Sequence, residues 1–188
     1  LTNIIEELSK VDIIIDDIYD LVNTNNKYPS AIPILIKYLS EGITNLNEKE
    51  GIIRALAVKE AIGIATPFLI KEYNQTCKDN MSLRWTIGNT VYITSNKDDT
   101  DDIISIVKDK TNGISRQMFV LALGKINTNK VEDILISLLN DGDVIPHALE
   151  ALGKIKSQRA KEKIQVFKNH SNKLIRREAE KALNRISK

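Results

Sequence analysis

A five-residue string occurs twice in this chain and restricts its possible folds more than any other feature. Ala122-Leu123-Gly124-Lys125-Ile126 returns 29 residues later as Ala151-Leu152-Gly153-Lys154-Ile155. Looser copies extend the series. Lys181-Ala182-Leu183-Asn184-Arg185-Ile186 has Asn in place of Gly, Ile87-Gly88 keeps the apolar-Gly pair, and Ala55-Leu56-Ala57 has Ala in place of Gly. The five copies centre on Leu56, Ile87, Leu123, Leu152 and Leu183, at spacings of 31, 36, 29 and 31 residues. Self-similarity at such a period points to stacked supersecondary units, each too small to bury its own apolar face.

Each copy has helical spacing. Phe119, Ala122, Leu123 and Ile126 fall at i, i+3, i+4 and i+7, and so do Ala148, Ala151, Leu152 and Ile155, and Ala179, Ala182, Leu183 and Ile186. That pattern makes one apolar stripe on a helix. Glycine inside a helix costs about 1 kcal/mol against alanine. Gly124, Gly153 and Gly88 are therefore expected to admit a neighbouring helix at close range. A partner helix should precede each copy, over 31–40, 62–73, 100–108, 131–139 and 160–168. Asn112-Gly113 and the run Asn140 to Asp143 read as turns. Pro67 should kink the second of these partner helices or mark its true start. The predicted architecture is an all-α, right-handed α-α superhelix of about five helix pairs over 30–188. An amino-terminal helical cap over 1–29 precedes it, and the whole forms a single domain. Ile4, Ile5, Leu8, Val11, Ile15, Ile18 and Val22 give the cap an apolar side, while Asp12, Asp16, Asp17 and Asp20 give it a solvated one.

This pattern of antiparallel helix pairs with a Leu-Gly-Lys-Ile ending resembles HEAT repeats, especially the short bacterial HEAT-like repeats first noted in phycobilin lyases. Leu83-Arg84-Trp85-Thr86-Ile87-Gly88-Asn89 also looks like a line found in bacterial HEAT-repeat proteins of undefined function. The resemblance implies that the second helices line a concave surface. On that implication the groove residues are Arg54, Arg84, Trp85, Asn89, Arg116, Gln117, His147 and Glu150. Arg84 is expected nearer the exposed side, with Arg54 and Gln117 in matching registers of adjacent repeats. Trp85 either seals a helix junction or anchors a partner, since exposed Trp and Arg commonly anchor interfaces.

Composition and charge narrow the function classes. Hydrophobic residues make up 42% and charged residues 28%, a globular balance. Net charge is +2 overall but uneven: residues 1–143 hold 15 Lys and Arg against 21 Asp and Glu, while residues 144–188 hold 12 against 4. Lys173, Arg177, Lys181 and Arg185 recur every four residues as a basic stripe on the last helix. It reads either as a polar end cap or as a contact for nucleic acid or an acidic protein. The acids Asp98, Asp99, Asp101 and Asp102 lack the alternating ligands, central Gly and closing Glu of an EF-hand, and sit where helix capping favours acids. His147 and His170 are far apart, and with the single Cys77 they give no zinc pattern. No nucleophile–base pairing or Gly-rich phosphate loop is evident.

The expectation is therefore a non-enzymatic, cofactor-free scaffold that binds a protein or peptide. The alternative is a DNA-binding or alkylation-repair protein, since some bacterial DNA glycosylases are built of HEAT-like repeats. A lone cysteine and the lack of a membrane-length apolar run suggest a cytosolic protein. The acidic amino end is unlike a signal peptide. Leu1 is not a start methionine, so sequence can precede it.

Overall fold

A computed structural model describes residues 2–188; Leu1 lies outside the described residues. Among the described residues there are twelve α-helices and no strand. The chain divides into two compact units, Leu1–Ser95 and Asn96–Lys188.

The first unit opens with two short helices, α1 (Thr2–Ser9) and α2 (Tyr19–Asn23). They are the predicted amino-terminal cap, and Ile4, Leu8, Ile18 and Leu21 are its buried residues. Its carboxylates organise the connecting loop, where Asp20 Oδ2 accepts from the Asp16 and Asp17 amides at 2.9 and 3.0 Å. Two helix pairs follow, α3 (Ala31–Glu41) with α4 (Leu46–Ala55), and α5 (Thr66–Gln75) with α6 (Met81–Thr94). Asn45 starts α4 by accepting from the amides of Asn47 and Glu48, two donors a helix start leaves unfilled. The helix expected from residue 62 begins instead at Thr66. Pro67 sits in its first turn, where a missing N–H costs nothing, and Gly63, at φ 75°, turns the chain ahead of it.

The second unit holds three pairs: α7 (Thr100–Lys108) with α8 (Gln117–Leu123), α9 (Asn129–Ser137) with α10 (Ile145–Lys154), and α11 (Lys161–Val166) with α12 (Lys173–Ile186). Single 3-10 turns extend α9 and α11 to Asn140 and Asn169. The Asp98–Asp99 run is a capping device: Asn96 accepts from the Asp98 amide, and Asp99 accepts from the Asn96 amide at 2.9 Å. Gly113 makes the predicted turn, at φ 54°.

The five pairs coincide with the five sequence copies, and their helices bury the predicted stripe. Counting from Leu56, Ile87, Leu123, Leu152 and Leu183, the residues at −4 and −1 are buried in every copy. Two stripe residues near the helix ends are less covered, Ile155 and Leu183 being half-buried, whereas Ile126 is buried at 8% exposed.

Gly124 and Gly153 are packing glycines with named partners. A Cβ on Gly124 would stand 2.8 Å from Cα and 2.9 Å from Cβ of Ala151, and one on Gly153 would stand 2.8 Å from Cα of Ala182. In these two repeats the glycine thus meets the motif alanine of the next, and the nearest obstructing atom is backbone. Gly124→Leu and Gly153→Leu are each expected to cost about 1–3 kcal/mol by overpacking, read as a lower urea midpoint. An unchanged midpoint in both variants would contradict this packing.

Candidate functional site

The second helix of each pair has an inside and an outside set by the register. At about 100° per residue, positions −4, −1 and 0 face the first-helix layer, whereas −2 and +2 fall on the opposite side. Position −2 holds Arg54, Trp85, Leu121, Glu150 and Lys181; position +2 holds Asn89, Lys154 and Arg185 on their helices, while Val58 and Lys125 stand at that position just past the ends of α4 and α8. Leu121 is the only buried residue of the ten. Within each unit, this open face of the second helices is a candidate interaction surface.

In the first unit it gathers Arg54, Trp85 and Asn89. Trp85 is 48% exposed, with about half of its surface open to solvent. Arg54 donates from Nε and Nη2 to Glu50 Oε1 at 3.0 and 2.6 Å, and its Nη2 reaches Thr86 Oγ1 at 3.5 Å. Arg54 and Asn89 line one shallow depression of about 240 Å³ with Val22, Thr86, Thr90 and Ile93. Thr90 anchors its floor by donating to the carbonyl of Ile53 at 3.0 Å.

Two arginines expected in the groove are not there. Arg84 is 2% exposed, its guanidinium stacks 3.8 Å over the Tyr73 ring, and Nη1 donates to the carbonyls of Tyr73 and Thr76, each at 3.0 Å. Arg116 is fully buried. It donates to the Val107 carbonyl at 3.0 Å and the Gly113 carbonyl at 2.8 Å, and pairs with Asp141 at 2.9 Å. Helix C-termini leave carbonyls without intrahelical partners, and a guanidinium can serve several at once. Arg176 does the same on the last pair, donating to His170 and Ser171 carbonyls at 2.7 and 2.8 Å. These arginines close the turn inside a helix pair.

In the second unit the remaining predicted residues keep to the surface side. Gln117 is at −6, not in the register of Arg54, and Nε2 donates to the Asp143 carbonyl at 2.9 Å. Glu150 pairs with Lys154 at 3.0 Å. His147 is half-buried, and its Nδ1 is buried with no hydrogen-bond partner. Burial lowers the His147 pKa, against the opposite pull of Glu150 and Glu178, and so favours the neutral ring. The other histidine, His170, closes its turn by accepting from the Asn172 amide at Nδ1.

The basic stripe is exposed throughout, and Arg177 and Lys181 clasp the 7% exposed Glu178 at 3.2 and 2.9 Å. Lys181 and Arg185 occupy the −2 and +2 registers, so stripe and groove face are continuous on α12. The sequence reading passed over Lys125 and Lys154, which share the +2 register. Their signal was the lysine of the repeated string itself, taken there only as a marker of the repeat.

Residues 100–184 match the family model described as HEAT repeats. The second unit is built of HEAT repeats. No curated protein matches the chain. The HEAT match spans the three pairs of the second unit, which hold the Gly124–Ala151 and Gly153–Ala182 contacts. The two pairs of the first unit carry the same apolar spacing, with Ala57 in place of the glycine in the first copy.

Proposed function

We propose that the protein is a non-catalytic scaffold that binds a protein or peptide on the open face of its second helices. The observation that carries this is Trp85, a large aromatic left half-exposed in the register of Arg54 and one turn from Asn89. Aromatic and guanidinium groups placed this way supply apolar area and orientation together. Extended repeat surfaces of this kind suit polypeptide ligands. The DNA-binding alternative has less support, because Glu50 holds Arg54 and Trp85 is the one tryptophan.

No described helix is long and apolar enough to cross a membrane. Cys77 is exposed and unpaired, which fits a reducing compartment such as the cytosol.

Capture of a partner from cytosol on the immobilised protein, identified and then purified, provides the test. Trp85→Ala is expected to weaken capture at least about tenfold while costing roughly 1–2 kcal/mol, less than the 3–5 kcal/mol of a buried aromatic. Undiminished capture by the folded variant would overturn the reading. A steeply salt-dependent preference for duplex DNA over any protein would favour the alternative.

A further inference from the structure

We propose that Lys125, Lys154 and Arg185 form a cation ladder that binds an extended acidic segment of a partner protein; this rests on the scaffold reading and names the ligand chemistry for the second unit. Lys154 and Arg185 hold one register on α10 and α12, and Lys125 stands at the matching position in the turn that ends α8; each cation directly follows Gly124, Gly153 or Asn184. The glycine contacts hold these helices together at that level, and Arg185 Cδ lies 3.5 Å from where a Gly153 Cβ would be. Lys125 and Arg185 are exposed, and Lys154 keeps 27% of its side chain exposed while paired with Glu150.

Helices packed face to face stand roughly 8–10 Å apart, so the ladder repeats at about that interval, across the helices rather than along one. A polyproline II chain has about three residues per turn and rises about 3.1 Å per residue, which returns a side chain to the same side every ~9.3 Å. An acidic residue at every third position of such a segment matches the ladder. The face is not uniformly basic: Glu150 and Glu178 sit among Lys154, Arg177 and Lys181. A duplex, with a charge per ~1.7 Å of axis, would press phosphates onto those carboxylates. A polypeptide can set a neutral or basic residue opposite them. In the first unit the same register carries Val58 and Asn89, so the ladder belongs to the second unit alone. Cations near helix C-termini are also favoured by the helix dipole. That effect predicts a change in stability, whereas the ladder predicts a change in binding.

The test uses the full chain and a labelled Pro-rich peptide with Glu at every third position. Its comparators are a peptide of the same composition with the Glu residues contiguous, and an oligothymidylate. The variants are Lys125→Gln/Lys154→Gln/Arg185→Gln and, as an equal charge change on α11 and its 3-10 extension, Lys161→Gln/Lys163→Gln/Lys168→Gln. The periodic peptide is expected to bind most tightly, and the ladder variant to lose about tenfold in affinity with the α11 variant close to wild type. Equal losses in both variants, or tighter binding of the oligonucleotide or the contiguous peptide, would overturn the ladder. If peptide binding fails while Trp85-dependent capture persists, the ladder falls and the scaffold reading stands. Ladder-dependent peptide binding without Trp85-dependent capture has the reverse meaning.

Discussion

Arg116→Leu is expected to destabilise the second unit by about 3–5 kcal/mol, the cost of removing one partner of a buried ion pair. The guanidinium is fully buried and contacts Asp141 through two bonds, Nη1 to Oδ2 at 2.9 Å and Nη2 to Oδ1 at 3.3 Å. Leucine replaces the apolar stem but strands the carbonyls of Val107 and Gly113 and leaves the buried Asp141 carboxylate without its guanidinium partner. Adding Asp141→Asn should recover part of the loss, since an amide tolerates burial better and can still accept from the Asp143 amide. The pH dependence has a definite sign. Arg116 holds the Asp141 pKa below the ordinary carboxylate range. The stabilisation is therefore complete above the unfolded value of about 3.9 and is lost as pH falls through the lower folded value. Urea unfolding should show the wild-type advantage at pH 7 shrinking below about pH 4. A gap between wild type and Arg116→Leu under 1 kcal/mol at pH 7 would contradict a structural role of this size.

Arg84→Ala is expected to cost about 2–4 kcal/mol, because each buried acceptor left without a donor costs roughly 1–3 kcal/mol. The acceptors are the carbonyls of Tyr73, in the last turn of α5, and Thr76, which ends it. The ring of Tyr73 also loses the guanidinium 3.8 Å above it, and Tyr73 is itself fully buried. Arg84→Lys should restore little, since an ammonium can neither stack flat nor span two carbonyls in fixed geometry. Near-complete rescue by lysine, measured by urea unfolding, would mean that charge alone matters at this position.

The helix pairs were legible in the sequence because one string recurs, and its apolar spacing fixes which side of each second helix is buried. Pro67 carried its own correction: proline belongs in a first turn, and the helix starts there. The arginines were misread because residue chemistry was weighed above register. Arg84 lies at −3, a position shared with the buried Ile53, Val120 and Leu149, and Arg116 lies at −7, two turns before the buried Leu123. The 3.6-residue period placed Arg116 inside and Arg84 on a flank that is buried in four copies and exposed at Glu180. What sequence spacing could not display is the set of unfilled carbonyls at the ends of α5 and α7, which makes a buried guanidinium favourable there. The same register, applied to Trp85 at −2, places it outside, as observed.

Arg84 and Trp85 are neighbours in sequence with opposite orientations, and comparing them tests the separation of packing side from binding side most directly. Arg84→Ala and Trp85→Ala should be measured together for urea midpoint and for affinity toward the captured partner. The expected result is a crossed one. Arg84→Ala should lose the larger share of stability yet bind at near wild-type affinity in its folded fraction, whereas Trp85→Ala should stay folded and lose capture at least about tenfold. Retained capture in Trp85→Ala, together with a stability loss as large as that of Arg84→Ala, would contradict the assignment of the open face as the binding surface.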